Sequence, residues 1–247
     1  MKKKIISILS ITMCSVLLLF GCGSKKKDTI IIGTEAGFAP YEYMKGNEIV
    51  GVDIDIAKAI ADYLGKELVI KNMEFDSALM AVQNGTVDFV AAGVSITPER
   101  AEEMDFSIGY VEAADEVVVV NKENPTVESI EDLDGKIIGV QQGNVADFWV
   151  EENVDAKEIK RYSKFGQAAE DLKNGKIDCI VMDYYPAKEM VVANPELTVL
   201  DGVLFKDMYA IAVKKGNKEL LETINTVIEQ LKAEGKIEEF LANHTSE

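Results

Sequence analysis

Histidine is almost missing from this 247-residue chain: the one present, His244, lies in the polar stretch 243–247, a terminal segment of the kind that frays. Histidine-based acid–base catalysis and zinc sites are therefore poorly supported. There is no Gly-x-Ser-x-Gly elbow and no glycine-rich phosphate loop, which removes the usual marks of a serine hydrolase or a nucleotide enzyme. Cysteine is equally scarce. Of Cys14, Cys22 and Cys179, only the last falls in the part expected to fold, so an intramolecular disulfide is excluded. The longest apolar run, residues 5–20, falls short of the roughly 20 residues that a spanning helix needs.

That run follows Lys2-Lys3-Lys4 and precedes Gly21-Cys22-Gly23-Ser24, the charged and apolar regions of a secretory signal over residues 1–21. Leu19-Phe20-Gly21-Cys22 resembles a bacterial lipobox, in which the cysteine is acylated and becomes the new N-terminus, although Phe20 is bulkier than usual there. The expectation is an extracytoplasmic protein held on the cell membrane by lipid on Cys22, with residues 22–28 as a short basic tether. Removing Lys2, Lys3 and Lys4 with the signal leaves 23 basic residues against 43 acids, a charge of −20. Nucleic acid is then an unfavourable partner. Without disulfides, the remaining 220 or so residues must rely on one or two large apolar cores.

Two short echoes run through the chain. Ile31-Ile32-Gly33-Thr34-Glu35-Ala36-Gly37 parallels Ile137-Ile138-Gly139-Val140-Gln141-Gln142-Gly143, each a buried strand entering a glycine-containing loop. Gln83-Asn84-Gly85-Thr86-Val87-Asp88-Phe89-Val90 parallels Lys173-Asn174-Gly175-Lys176-Ile177-Asp178-Cys179-Ile180, each a helix, a left-handed stop and a strand. The chain thus predicts one βα design built twice, hence two lobes. Helical spacing of Ala57, Ile60, Ala61 and Leu64, and of Leu220, Leu221, Ile224, Val227, Ile228 and Leu231, predicts two amphipathic helices stopped by Gly65 and Gly235. The strand-like runs 116–120 and 209–213 bracket the second copy and are where the chain would cross between lobes.

In open α/β sheets small ligands bind beyond the carboxyl ends of strands. The loop after residues 87–92 reads Gly93-Val94-Ser95-Ile96-Thr97-Pro98-Glu99-Arg100, with Thr97 suited to cap a helix, Pro98 to its first position, and Arg100 in its first turn. A cation there opposes the helix dipole unless an anion lies between it and the free N–H groups. A solvated surface arginine satisfies the local sequence as well.

With Asp105-Phe106-Ser107 following, this loop resembles the signature of the family 3 solute-binding proteins for polar amino acids. Residues 33–43, Gly51-Val52-Asp53-Ile54-Asp55, Gly139-Val140-Gln141-Gln142-Gly143-Asn144 and residues 178–183 fall in family order, so the resemblance covers about residues 29–241. It implies an α/β, two-lobed, periplasmic-binding-protein-like type II fold, each lobe a mostly parallel sheet flanked by helices, joined by a two-strand hinge. Lobe 1 would be 29–116 with 206–244, and lobe 2 would be 117–205. It further implies a monomeric, cofactor-free, non-enzymatic subunit that captures an amino acid for the permease of an ABC importer.

Carried over by position, Arg100 would clamp the ligand carboxylate, helped by the Thr97 and Asn144 N–H groups, while Asp183, the Gly93 carbonyl and Ser95 would receive the ammonium. Phe38 and Phe75 would sandwich the side chain, and Glu35 and Gln141 would face its tip, favouring a basic or amide group. Phe75 could instead be core, and Asp183 could simply cap the helix beginning at Tyr184. Asn144 stands where the family commonly has a hydroxyl residue, Ile108-Gly109 replaces Asp-Pro, and Tyr41 replaces Phe. The rival readings are a dehydratase using a cleft carboxylate such as Glu35, a binding protein for another amino-acid-like solute, or a receptor sensor domain, which would need a membrane span and a signalling segment.

Overall fold

Where the sequence alternates short apolar runs with amphipathic segments, the chain forms strands and helices in that order. The structure, a computed structural model, describes residues 28–246. The expected signal segment, Cys22 and the expected tether up to residue 27 lie outside these residues. In chain order the elements are β1 (Thr29–Thr34), β2 (Gly37–Phe38), β3 (Glu42–Lys45), β4 (Glu48–Val50), α1 (Val52–Leu64), β5 (Glu67–Asn72), α2 (Phe75–Asn84), β6 (Phe89–Val90), α3 (Pro98–Glu103), β7 (Met104–Phe106) and β8 (Val111–Asn121). Then follow β9 (Ile137–Gln141), α4 (Val145–Asn153), β10 (Glu158–Tyr162), α5 (Phe165–Lys173), β11 (Cys179–Asp183), α6 (Tyr184–Ala193), β12 (Leu197–Val199), β13 (Phe205–Tyr209), β14 (Ala212–Lys214), α7 (Lys218–Ala233) and α8 (Lys236–His244).

Two sheets define two lobes: β5-β1-β6-β14-β7, and β10-β9-β11-β8-β12 with β13 also on β8. In each, the repeated βα copy supplies the parallel pairs, β1 with β5 and β6 in one, β9 with β10 and β11 in the other. The remaining pairs are antiparallel, so the sheets are mixed rather than mostly parallel. The chain leaves and re-enters the first lobe along β8 and β13, which lie side by side with Phe205 opposite Glu116, Lys206 opposite Asp115 and Asp207 opposite Ala114. The single strand expected over residues 209–213 is split, because Ala210 and Ile211 turn the chain from the end of β13 into β14.

The two echoes meet in space. Asp88, after the first Asn-Gly, exchanges bonds with the start of β1: its Oδ2 accepts from Ile31 N at 2.7 Å and its own N–H donates to Ile31 O. Asp178 does the same with Ile137 at the start of β9. Each aspartate thus locks helix exit, strand and neighbouring strand together at the equivalent point of its lobe. Gly85 adopts φ +74°, the left-handed conformation that lets its N–H reach back to Val82 O.

Around the sheets, α1 buries Ile54, Ile56, Ala57, Ile60 and Ala61, and α7 buries Ile224, Val227, Ile228 and Leu231. Each buried isoleucine, valine or leucine among them contributes about 1.5–3 kcal/mol of transfer free energy. Their cluster continues through Phe38, Tyr41 and Tyr209 to Phe165, Leu172 and Ile180 of the second lobe. Gly235 does not simply end α7. It turns the chain, at φ +69°, into α8, a further helix that the periodicity did not separate. Nor does the tail fray: His244 Nε2 lies 2.9 Å from Asp55 Oδ2 and its Nδ1 lies 3.1 Å from the Tyr43 hydroxyl, tying α8 to α1 and β3.

Candidate functional site

The loop from β6 to α3 forms as its residue types dictate. Thr97 caps α3, its hydroxyl accepting from Arg100 N at 3.2 Å, and Pro98 takes the first helical position. This turns the Arg100 side chain inward, where it is only 8% exposed, so the solvated-arginine reading fails. Its Nη1 donates to Ser95 O at 2.7 Å and its Nη2 to Gly143 O of the opposite lobe at 2.7 Å, while the guanidinium lies 5.3 Å from the Phe75 ring centre. Burial draws its pKa down to about 10 despite Asp207, Asp76 and Glu99 nearby. Among the described residues, no carboxylate forms an ion pair with Arg100 within 4.0 Å.

The lobes meet closely at this end. Gly143, at φ +74°, passes so near Asp76 that a Cβ would overlap its carboxylate, and Gln142 Nε2 donates to Asp76 Oδ2 at 3.0 Å. Asn144 caps α4, its side chain accepting from Ala146 N, while its own N–H donates to Gln141 O. The amide therefore performs the capping that a hydroxyl would, but the expected Asn144 N–H donor is already engaged within its loop. A groove of about 620 Å³ opens beside Arg100 and Thr97 towards Phe148 and Trp149.

At the end of β11, Asp183 occupies the cap position of α6 yet makes no capping bond with its side chain. Its Oδ1 instead accepts from the Tyr209 hydroxyl, and its Oδ2 has no hydrogen-bond partner although the residue is 2% exposed. The capping reading of Asp183 gives way to an inward-facing carboxylate. Directly opposite it on β8 stands Glu116, and side chains opposite each other in an antiparallel pair share a face. Both Glu116 oxygens are buried with no donor from any other described residue, so a proton on Glu116 is placed to be shared with Asp183. Burial, then the Asp183 charge, push Glu116 well above the usual carboxylate range. Burial chiefly raises Asp183 to about 6, against the Tyr209 bond. Two adjacent buried carboxylates cannot both ionise cheaply, so the pair favours keeping one proton.

Gly93 is held through its backbone. Its N–H donates to Asp53 Oδ2 at 2.8 Å, which also accepts from the Tyr110 hydroxyl at 2.7 Å. At φ +53°, a Cβ on Gly93 would come within 2.8 Å of the Phe38 ring, so only glycine fits. Ser95 is buried and bridges to Tyr209. Burial raises the Asp207 carboxyl, whose Oδ1 accepts from Met208 N while its Oδ2 is buried without a hydrogen-bond partner.

At the other lobe contact, the Glu35 carboxylate is 2% exposed. Gln141 Nε2 donates to its Oε2 at 3.3 Å and also to Ser163 O. Phe38 stacks on Phe165 of the second lobe with centroids 6.0 Å apart. Phe75 begins α2 and packs in the first-lobe core, as the core reading expects, with its ring beneath Arg100.

The structure thus gathers Arg100, Thr97, Ser95, Gly93, Phe38, Phe75, Glu35, Gln141, Asn144 and Asp183 along the facing surfaces of the two lobes. Sequence reasoning missed Glu116, Asp207, Tyr209, Tyr110, Lys164 and Phe165. Only Tyr209 left a signal, as an aromatic opening a strand-like run where a crossing was expected.

Known proteins agree with this architecture. ABC transporter arginine-binding protein 1 of Escherichia coli is 32% identical over 231 residues, covering 91% of this chain and 94% of that protein. The solved structure of the amino acid ABC transporter substrate-binding protein AbpA from Streptococcus pneumoniae, bound to L-arginine, is 35% identical with a TM-score of 0.83, covering 87% of this chain and 93% of that one. An ancestral arginine-binding protein bound to glutamine is 39% identical with a TM-score of 0.81, covering 87% and 96%. The family model described as bacterial extracellular solute-binding proteins, family 3, matches residues 30–247, and the chain belongs to that family.

Proposed function

We propose that this protein is the extracytoplasmic amino-acid-binding subunit of an ABC importer, that it takes a polar amino acid with a basic or amide tip between its lobes, and that it delivers it to the permease. The observation that carries this reading is a pair of buried, opposite charges without ion-pair partners on the two sides of the interlobe surface. Arg100 donates only to backbone carbonyls, and Asp183 faces a second carboxyl, Glu116, rather than a cation. A zwitterion satisfies both at once, its carboxylate on the guanidinium and its ammonium on Asp183, with Phe38 and Phe75 beside its side chain. Arginine- and glutamine-bound relatives support the ligand class.

Lobe 1 is taken as residues 29–116 with 206–244, and lobe 2 as 117–205. Glu35, Phe38 and Asp183 are each less than 5% exposed, so a ligand reaches them only when the lobes part. Parting requires rotation about β8 and β13. Open and closed states then differ by the ligand's own contacts, the condition for a ligand to shift the population. Cys22, acylated, would hold the protein at the membrane beside a permease, and no enzymatic step is needed. The test is calorimetry with the twenty amino acids, with small-angle scattering before and after the best of them. Submillimolar binding of a basic or amide amino acid with a smaller radius of gyration is expected, and neither decarboxylated nor N-acetylated analogues should bind. Binding without any change in radius refutes the hinge, and tight binding of the analogues refutes the two-charge site.

A further inference from the structure

Lys164 stands at the N-terminal cap of α5 and makes no capping bond. The position favours Ser, Thr, Asp or Asn, and a cation there opposes the helix dipole. Its ammonium reaches across to the first lobe instead, 3.4 Å from Glu35 Oε1. That distance is within ion-pair range, but Oε1 has no hydrogen-bond partner, whereas Oε2 is taken by Gln141. The Glu35 carboxylate folds over Gly37, a close approach that a side chain there would obstruct, since a Cβ would come within 2.9 Å of Oε1. The next residue, Phe165, is fixed by stacking on Phe38, which pins the Lys164 backbone at the same place. Burial raises the Glu35 pKa, and Lys164 is the largest influence opposing that rise, with Glu74 adding to it.

We infer that Lys164 is a selectivity residue, an internal countercharge to Glu35 that shifts the ligand preference away from basic and towards amide side chains. The inference rests on the reading of Glu35 as the tip contact. A neutral amide can donate to the open Oε1 while Lys164 stays and balances the carboxylate. A guanidinium or ammonium placed at Oε1 brings a second cation beside Lys164, and like charges at that range repel strongly when partly desolvated. The basic ligand must then displace the lysine, whose side chain is 45% exposed and has a path to water. Affinity for a basic ligand is accordingly reduced by the ion pair it has to break, while affinity for an amide ligand is not.

Titration calorimetry of wild type, Lys164→Met and Lys164→Arg with L-arginine and L-glutamine at pH 7.5 tests this. Lys164→Met is expected to raise the arginine-over-glutamine affinity ratio about tenfold or more, and Lys164→Arg to leave it within about threefold of wild type. A merely structural role for Lys164 would move both ligands together, and a parallel change overturns the inference. So does an unchanged ratio in Lys164→Met. If wild type binds neither ligand, both the tip reading and the inference fail; if it binds one or both and the ratio ignores Lys164, the inference alone fails.

Discussion

Acidification should release the ligand by protonating the carboxylate that receives its ammonium. Asp183 is raised to about 6, by burial first, with Asp207 adding to the rise and the Tyr209 hydroxyl opposing it. Glu116, opposite on β8, is raised as well, by burial and then by the Asp183 charge. An ammonium binds the ionised form of Asp183, so below about pH 6 a proton must leave for each ligand taken up. Each further pH unit then weakens binding by up to about tenfold, or ~1.4 kcal/mol, and the fall from pH 7.5 to 4.5 amounts to roughly 30-fold. Calorimetry with glutamine in two buffers of different ionisation enthalpy, on wild type and Asp183→Asn, reads the protons and assigns them to Asp183. Near-zero release is expected at pH 7.5 and close to one proton at pH 5, and Asp183→Asn should abolish the release together with most of the affinity. Stability runs the other way for this group. A folded pKa above the unfolded value of 3.8 makes a contribution that is fully present below about pH 4 and is lost as pH rises through about 6. Equal affinity at pH 5 and 7.5 without proton exchange, in protein that circular dichroism shows to be folded, would refute the reasoning.

Arg100→Ala should cost on the order of 3–5 kcal/mol of ligand binding, the range for breaking a buried pair, with little change in melting temperature; binding within a few-fold of wild type would remove it from the site. Glu35→Ala should weaken a basic ligand by about 2–3 kcal/mol and an amide ligand by less, as competition calorimetry can show, whereas equal losses would make Glu35 structural. Cys22→Ser should move the protein from the membrane fraction into the medium or periplasm, and unchanged fractionation would contradict the lipid anchor.

The parts of the fold legible in the sequence were those with a local cause. The Asn-Gly stops worked because a left-handed residue after a helix is a property of that residue, and Thr97-Pro98 placed the start of α3 to the residue. The internal echo was legible too, and its two aspartates turn out to make matching bonds to Ile31 and Ile137. Less was legible where the outcome depends on a distant partner. His244 looked like part of a loose tail because Asp55 lies 189 residues away in the chain. The break at Ala210 and Ile211 was hidden because an unbroken apolar run reads as one strand, whichever sheet each half joins.

The carboxylates show most clearly why part of the site stayed out of reach. Within Asp115-Glu116-Val117-Val118 nothing marks Glu116 as buried, and an acid at the head of a valine run ordinarily faces water. Its fate is decided by register: β11 places Asp183 opposite it and β13 places Phe205 opposite it on the other side. A slip of one residue would turn Glu116 to the other face of the sheet. Asp115, its neighbour, takes that alternative and pairs at 3.3 Å with the exposed Lys206. The same alternation that gives the hinge strand an outward ion pair therefore forces its next residue inward beside Asp183. There it helps set the pKa on which ammonium binding depends. Asp183 could be assigned from resemblance to a family, because a role travels with a position. The proton it shares depends on Glu116, which that resemblance did not single out, and on a strand pairing that only the folded chain supplies.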